Sequence, residues 1–132
     1  MHIRSYQDLD VWKNAIGLVK LAYSLASTLP KTEQFGLVSQ MQRSAVSIPA
    51  NIAEGCLRST RKEFAQFLRI AAGSLAELET HVFIAIELGY LDADCCKDFF
   101  TSSSEIGRML NGLLRSLQAP LKPETRNLEP AL

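Results

Sequence analysis

The sequence predicts an all-α protein, an up-down-up-down antiparallel four-helix bundle with a proline kink in its second helix. Three observations point there. Apolar residues recur at steps of three and four in four separate stretches, the spacing that lines one face of a helix. Short links join the stretches, which forces successive helices to run antiparallel. No stretch shows the alternation of a strand, and there is no internal repeat or second domain. The 132 residues suit one domain, and the 47% that are apolar supply a core. The bundle is assigned to residues 1–118 and a flexible C-terminal tail to 119–132.

The first helix is expected from Asp8 to Leu29. Leu9, Trp12, Ile16, Val19, Tyr23 and Ala26 form one stripe, and Val11, Ala15, Leu18, Ala22, Leu25 and Leu29 form a second beside it. Together they make an apolar face wider than one packed neighbour needs. Pro30 and Lys31 end this helix. The second starts near Thr32 or Glu33 and reaches Cys56 or Leu57. Its line Val38, Met41, Ala45, Ile48 and Ile52 crosses Pro49 without losing phase. A helix that broke and restarted would not keep that register, so Pro49 is read as a kink inside one long helix. A polar line, Gln40, Ser44, Ser47, Asn51 and Glu54, is expected to bond the carbonyl that Pro49 leaves without a donor.

Thr60 and Glu63 have capping-box spacing and open the third helix, which runs to about Leu88. Phe64, Leu68, Ala71, Leu75, Leu78, Val82 and Ala85 line it, and Gly89 stops it. The small residues Ala72, Gly73, Ser74 and Ala76 at its midpoint predict a close approach by another helix, since a mid-helix glycine costs about 1 kcal/mol relative to alanine. Asp92 is the expected N-cap of the fourth helix, from Ala93 to Leu117 or Gln118. Its face is Phe99, Ser103, Ile106, Leu110, Leu113 and Leu117, and Pro120 and Pro123 lie beyond it.

Formal net charge is zero, so no global field draws the chain to nucleic acid or to a membrane. The halves differ, however. Residues 1–72 hold nine Lys/Arg against five Asp/Glu (+4), and residues 73–132 hold five against nine (−4). Two readings stay open: a basic surface on one side, or head-to-tail pairing of copies. Three cysteines, two of them adjacent, make neither a disulfide framework nor a metal knuckle, and reduced thiols in a cytoplasmic protein are expected. The N-terminus lacks the pattern of a signal peptide, and no apolar run is long enough for a membrane span.

Candidate chemistry is sparse. A di-iron bundle needs two Glu-x-x-His pairs, whereas Glu77 and His81 stand four apart and the other histidine is His2. A solvated or hydrogen-bonded His81 is expected instead. No glycine-rich phosphate loop occurs, and no cysteine or serine has a base partner visible in the sequence. No catalytic residue, metal, cofactor or small-molecule substrate is therefore assigned. The suggestive feature is a basic cluster. Arg58, Arg61 and Lys62 gather at the turn between the second and third helices, and Arg69 shares a face with Lys62. Arg43 is an outlying candidate on the second helix. Such groups contact phosphates, although a charged turn is normally just a solvated turn. Phe64 and Phe67 fall at core spacing rather than as base-stacking platforms. Arg43 and Glu54 either pair, within the bundle or across a subunit contact, or face water.

The segment from Phe35 to Leu91, "FGLVSQMQRSAVSIPANIAEGCLRSTRKEFAQFLRIAAGSLAELETHVFIAIELGYL", resembles the small four-helix bundle proteins encoded in 23S rRNA intervening sequences. The opening "YQDLDVWKNA" matches how these proteins begin, and "SIPANIAEG" and "GSLAELE" are the most specific segments. The likeness covers about residues 5 to 118. That family is similar to the accessory protein of diversity-generating retroelements, a ring-shaped pentamer whose basic surface binds nucleic acid and a reverse transcriptase. The resemblance implies an intracellular, non-enzymatic homo-oligomer, a pentamer, in contact with RNA or DNA; the residues that the charge pattern offers for that contact are Arg58, Arg61, Lys62 and Arg69, with Arg43 outlying. A ring would also cover the double stripe of the first helix. The alternative is a protein–protein scaffold with no nucleic-acid role.

Overall fold

The computed structural model describes residues 5–119. The expected tail beyond Ala119 lies outside the described residues. Four helices form, α1 (Asp10–Ala26), α2 (Leu37–Cys56), α3 (Arg61–Glu87) and α4 (Lys97–Gln118). Short 3-10 turns at Tyr6–Asp8, Lys31–Glu33 and Ala93–Cys96 precede α1, α2 and α4. No strand occurs among the described residues. Each helix packs on the next in the chain, most extensively α2 on α3, and α1 closes the bundle against α4.

The ends of α1 lie inside the expected Asp8–Leu29. Before it, Ser5 caps a separate turn, its hydroxyl accepting from the Gln7 N–H at 3.0 Å, and Leu9 is extended. After it, the Ser27 and Thr28 hydroxyls donate to the Ser24 and Leu25 carbonyls at 2.7 and 2.8 Å. Such local side-chain bonds compete with helix continuation. Helix α2 begins at Leu37 rather than at Thr32 or Glu33, because Gly36 (φ −112°, ψ −107°) leaves the helical path. Glu33 then acts on α2 from outside it. One carboxylate oxygen accepts from the Leu37 N–H at 3.1 Å, and the other accepts from the Tyr90 hydroxyl at 3.0 Å. That carboxylate ties the start of α2 to the chain leaving α3.

Helix α2 continues through Pro49, and Met41, Ala45, Ile48 and Ile52 are wholly buried on either side of it. The polar line does not bond the Ala45 carbonyl that the proline leaves without a donor. Ser44 donates instead to the Gln40 carbonyl at 2.9 Å, and Asn51 to the Ser47 carbonyl at 2.8 Å. The reason is reach: a serine or asparagine side chain bonds three or four residues back, and no member of the line stands at that distance from Ala45 with its polar atom free.

Helix α3 opens on Thr60, whose hydroxyl accepts from the Glu63 N–H at 3.1 Å. All seven predicted core residues from Phe64 to Ala85 are buried. The helix stops as expected at Gly89, at φ +79°. The Gly89 N–H donates to the Ile86 carbonyl and the Tyr90 N–H to the Ala85 carbonyl, at 3.0 and 2.9 Å. This double bond pattern requires a left-handed residue, which glycine adopts without strain. Asp92 does not cap α4 with its side chain, since a 3-10 turn intervenes and Lys97 begins the helix. Ser103, on the core face of α4, is wholly buried and donates to Glu79 of α3 at 2.7 Å.

The close approach expected at the midpoint of α3 occurs at Ser74, which is buried and meets Ser47 of α2 at 2.7 Å, and not at Gly73; the tightest fit is at Gly55. Gly73 is exposed, and beyond its own helix no atom lies within 4 Å of where a Cβ would stand. At Gly55 a Cβ would fall 2.7 Å from Phe67 Cβ, 2.9 Å from Phe64 Cδ1 and 3.2 Å from the Phe64 carbonyl oxygen. The absence of a side chain there lets α3 start against the end of α2. Two opposite effects are expected in urea unfolding. Gly55→Ala destabilises by roughly 1–3 kcal/mol through overpacking, and Gly73→Ala stabilises by about 0.5–1 kcal/mol through helix propensity.

Candidate functional site

The basic cluster sits where α2 ends, α3 begins and α4 ends. The structure brings Arg58, Arg61 and Lys62 together there, and it gives them different environments. Arg58 pairs with Glu54 at 3.0 Å, and its guanidinium lies over the Phe67 ring, 4.8 Å from the centroid. Glu54 is thereby accounted for by a partner four residues away, not by Arg43. Arg61 reaches across to α4, donating from Nη2 to the Ser116 carbonyl at 2.6 Å and to the Ala119 carbonyl at 3.5 Å. It satisfies carbonyls that a helix end leaves free, where a positive charge is also favoured by the helix dipole. The Nε–H of both arginines is buried and has no hydrogen-bond partner. Lys62 and Arg69 are exposed on one face of α3, two turns apart, and neither forms an ion pair among the described residues.

Arg43 does not join this cluster. It lies 13 residues before Cys56, the last residue of α2, about 20 Å along the axis at 1.5 Å per residue. It is exposed at a polar cleft between α2 and α3, lined also by Gln40, Ser44, Ser47, Ser74 and Glu77. Arg115, in the last turn of α4, was not singled out in the sequence, although up-down-up-down topology places that turn at the same end as Arg58 and Arg61.

The cleft holds the polar line of α2. Ser47 and Ser74 hydroxyls meet at 2.7 Å, and Ser44 Oγ lies 3.2 Å from His81 Nδ1. Because Ser44 donates its one proton to a backbone carbonyl, it accepts from His81, which leaves Nε2 as the unprotonated nitrogen of a neutral ring. Burial pushes His81 below the usual imidazole value, and the Glu77 carboxylate opposes this more weakly. Glu77 and His81 are thus part of a seam between two helices. Among the described residues, no three His, Cys, Asp or Glu side chains gather as a metal-binding group.

A second surface is apolar. In α1 the stripe Val11, Ala15, Leu18 and Ala22 is buried in the core, whereas Ile16 and Tyr23 of the other stripe remain 37% and 42% exposed. With Tyr6, Trp12, Val19, Val46, Pro49, Ala50 and Ala53, Ile16 lines a shallow groove between α1 and α2, and Val46 is 44% exposed. The width of the face was legible in the sequence, but which stripe turned inward was not.

The described residues form a small helical bundle with one basic end and one apolar flank. The family model described as 23S rRNA-intervening sequence protein matches residues 7–112. The chain belongs to that family. No curated protein matches it significantly. No helix among the described residues is long and apolar enough to cross a membrane.

The depressed His81 value sets the sign of a pH effect. Well above pH 6.5, the ordinary imidazole value, the ring is neutral whether the chain is folded or not, and its burial carries no penalty for a charge. Below it the unfolded chain binds a proton more readily than the folded one, so stability falls until the pH drops under the folded value. Thermal unfolding at pH 7.5 and pH 5 is expected to show a loss for the native chain that shrinks in His81→Gln.

Proposed function

We propose that the chain is a non-enzymatic protein that assembles into a homopentamer through its α1/α2 flank and contacts RNA or a ribonucleoprotein through its basic end. The observation that carries the assembly is the apolar groove with Ile16 and Val46 open to water, and Tyr23 exposed further along α1. Exposed apolar surface of this kind on a small bundle favours association. The nucleic-acid role is supported by the family, which is named for a ribosomal RNA, and by Lys62 and Arg69, whose side chains are free for phosphates. Arg58 and Arg61 would add to that surface, and Arg43 stands apart from it. In a ring each patch recurs once per subunit, so modest contacts combine by multivalency.

A second reading has its own support. Arg58 and Arg61 are engaged within the chain, by Glu54 and Phe67 and by the α4 carbonyls. The basic end then serves the fold, and the protein is a scaffold whose partners are proteins.

Filter binding with single-stranded RNA separates the two. The first reading expects affinity that falls steeply with salt. It also expects Lys62→Glu/Arg69→Glu to weaken binding and to reduce the log–log salt slope by about 1.4, at about 0.7 per phosphate contact on a single strand. Undiminished RNA retention by that variant, with helicity and assembly intact, would leave the scaffold reading. For the assembly, light scattering is expected to give five subunits for the native chain and a smaller species for Ile16→Asp/Val46→Asp. A native monomer at micromolar concentration would overturn it.

A further inference from the structure

The turn into α4 carries two neighbouring thiols that neither the assembly nor the RNA contact uses. Cys95 is exposed and Cys96 is buried, both are free, and their sulfur atoms stand 4.0 Å apart. Cys95 Sγ donates to the Asp92 carbonyl at 3.0 Å, which holds it on the same side of the turn as its neighbour. The third cysteine, Cys56, is buried at the end of α2 and has no thiol beside it.

Two adjacent thiols can close on each other or close on a bridging atom. Direct closure is poorly matched: neighbouring residues across a trans peptide have Cα atoms ~3.8 Å apart, below the ~4.4–6.8 Å that disulfides prefer. A bridging atom fits better. With sulfur bonds of ~2.3 Å, a bent bridge places the sulfurs ~3.4 Å apart at a pyramidal centre and ~3.8 Å apart at a tetrahedral one, and a linear arrangement places them ~4.6 Å apart. The observed separation is nearer the bent geometry. A four-ligand ion would need two further side chains, and among the described residues no group of three or more His, Cys, Asp or Glu offers them. The occupant must therefore bring its remaining bond with it.

We propose that Cys95 and Cys96 form a chelating dithiol site for a trivalent organoarsenical, a soft, pyramidal centre with one carbon substituent. In the reaction R–As=O + 2 RSH → R–As(SR)2 + H2O, two As–S bonds form, the As–O bonds break, and the oxygen leaves as water with both thiol protons. No electrons are transferred, so no oxidant is required. Burial, with the neighbouring thiol and the Asp92 carboxylate, pushes Cys96 up to about 11, so it enters the reaction as a protonated thiol. Exposed Cys95 makes the first bond, and Cys96, 4.0 Å away, makes the second.

The site stands independently of the assembly and of RNA, and the probe is phenylarsine oxide added to the folded, reduced full-length chain. Native mass spectrometry is expected to show one adduct per chain that withstands excess glutathione, a monothiol, and is removed by dithiothreitol. Cys95→Ser and Cys96→Ala are each expected to lose the glutathione-resistant adduct, while Cys56→Ala keeps it, with folding checked by circular dichroism. Cys95→Ser alters an exposed position, so it tests the site even where Cys96→Ala fails to fold. An unmodified native chain, or a resistant adduct surviving in Cys95→Ser, would overturn the assignment, as would loss of the adduct in a folded Cys56→Ala.

Discussion

The contact on which the rest of the molecule depends is the meeting of α2 and α3 at Gly55. Without a side chain there, Phe64 and Phe67 of α3 come within van der Waals reach of the α2 backbone. The two helices can then run alongside each other from their shared turn onward. The turn is only a few residues long, from Leu57 to Thr60, so a crossing set wrongly at its mouth would be carried along both helices. The same contact organises the basic end. Phe67 meets Gly55 through its Cβ and supports the Arg58 guanidinium with its ring face.

Away from Gly55 the α2/α3 seam changes character. Its inner edge is the apolar line from Met41 to Ile52 against Phe64 to Ala85, and its outer edge is polar, with Ser44–His81 and Ser47–Ser74 bonded across it. A hydroxyl half-removed from water and left without a partner costs more than a formed bond returns, so such pairs discriminate between registers more than they add stability. Sliding α3 by one turn on α2 would leave these groups unmatched. The polar edge thus specifies alignment, and the apolar edge supplies the driving force.

Charge in this chain does two kinds of work. Arg61 answers the end of α4 and Glu33 answers the start of α2 and Tyr90, so some charged groups complete helix ends in place of side-chain caps. Lys62 and Arg69 have no such task and remain available to a partner. The apolar side shows a parallel division: one stripe of α1 fills the core, and the adjacent one stays half open beside Val46. A bundle of four helices closes with one face of each helix, so Ile16 and Tyr23 of α1 are left open while Trp12 and Val19 beside them pack against the core.

How much of this was legible in the sequence follows from which forces are local. The 3-4 spacing identified all four helices, and the unbroken phase across Pro49 identified α2 as one element. Gly89 marked the end of α3, because a left-handed stop is a requirement of a single residue. Some helix boundaries were less readable. Glu33 acts on Leu37 and Tyr90 through space, and the hydroxyls of Ser27 and Thr28 compete with α1, outcomes that periodicity does not register. Gly73 and Gly55 look alike as letters in helical segments, yet only Gly55 faces a neighbouring helix. The Arg58–Arg61–Lys62 cluster was visible as charge, while the separation of Arg43 from it and the engagement of Arg61 with α4 were not. The sequence by itself determined the helices, their order and the width of their apolar faces, because those depend on residues a few positions apart. Tertiary structure decided which glycine is indispensable, which stripe is core and which arginines are free, because those depend on the helix that happens to lie opposite.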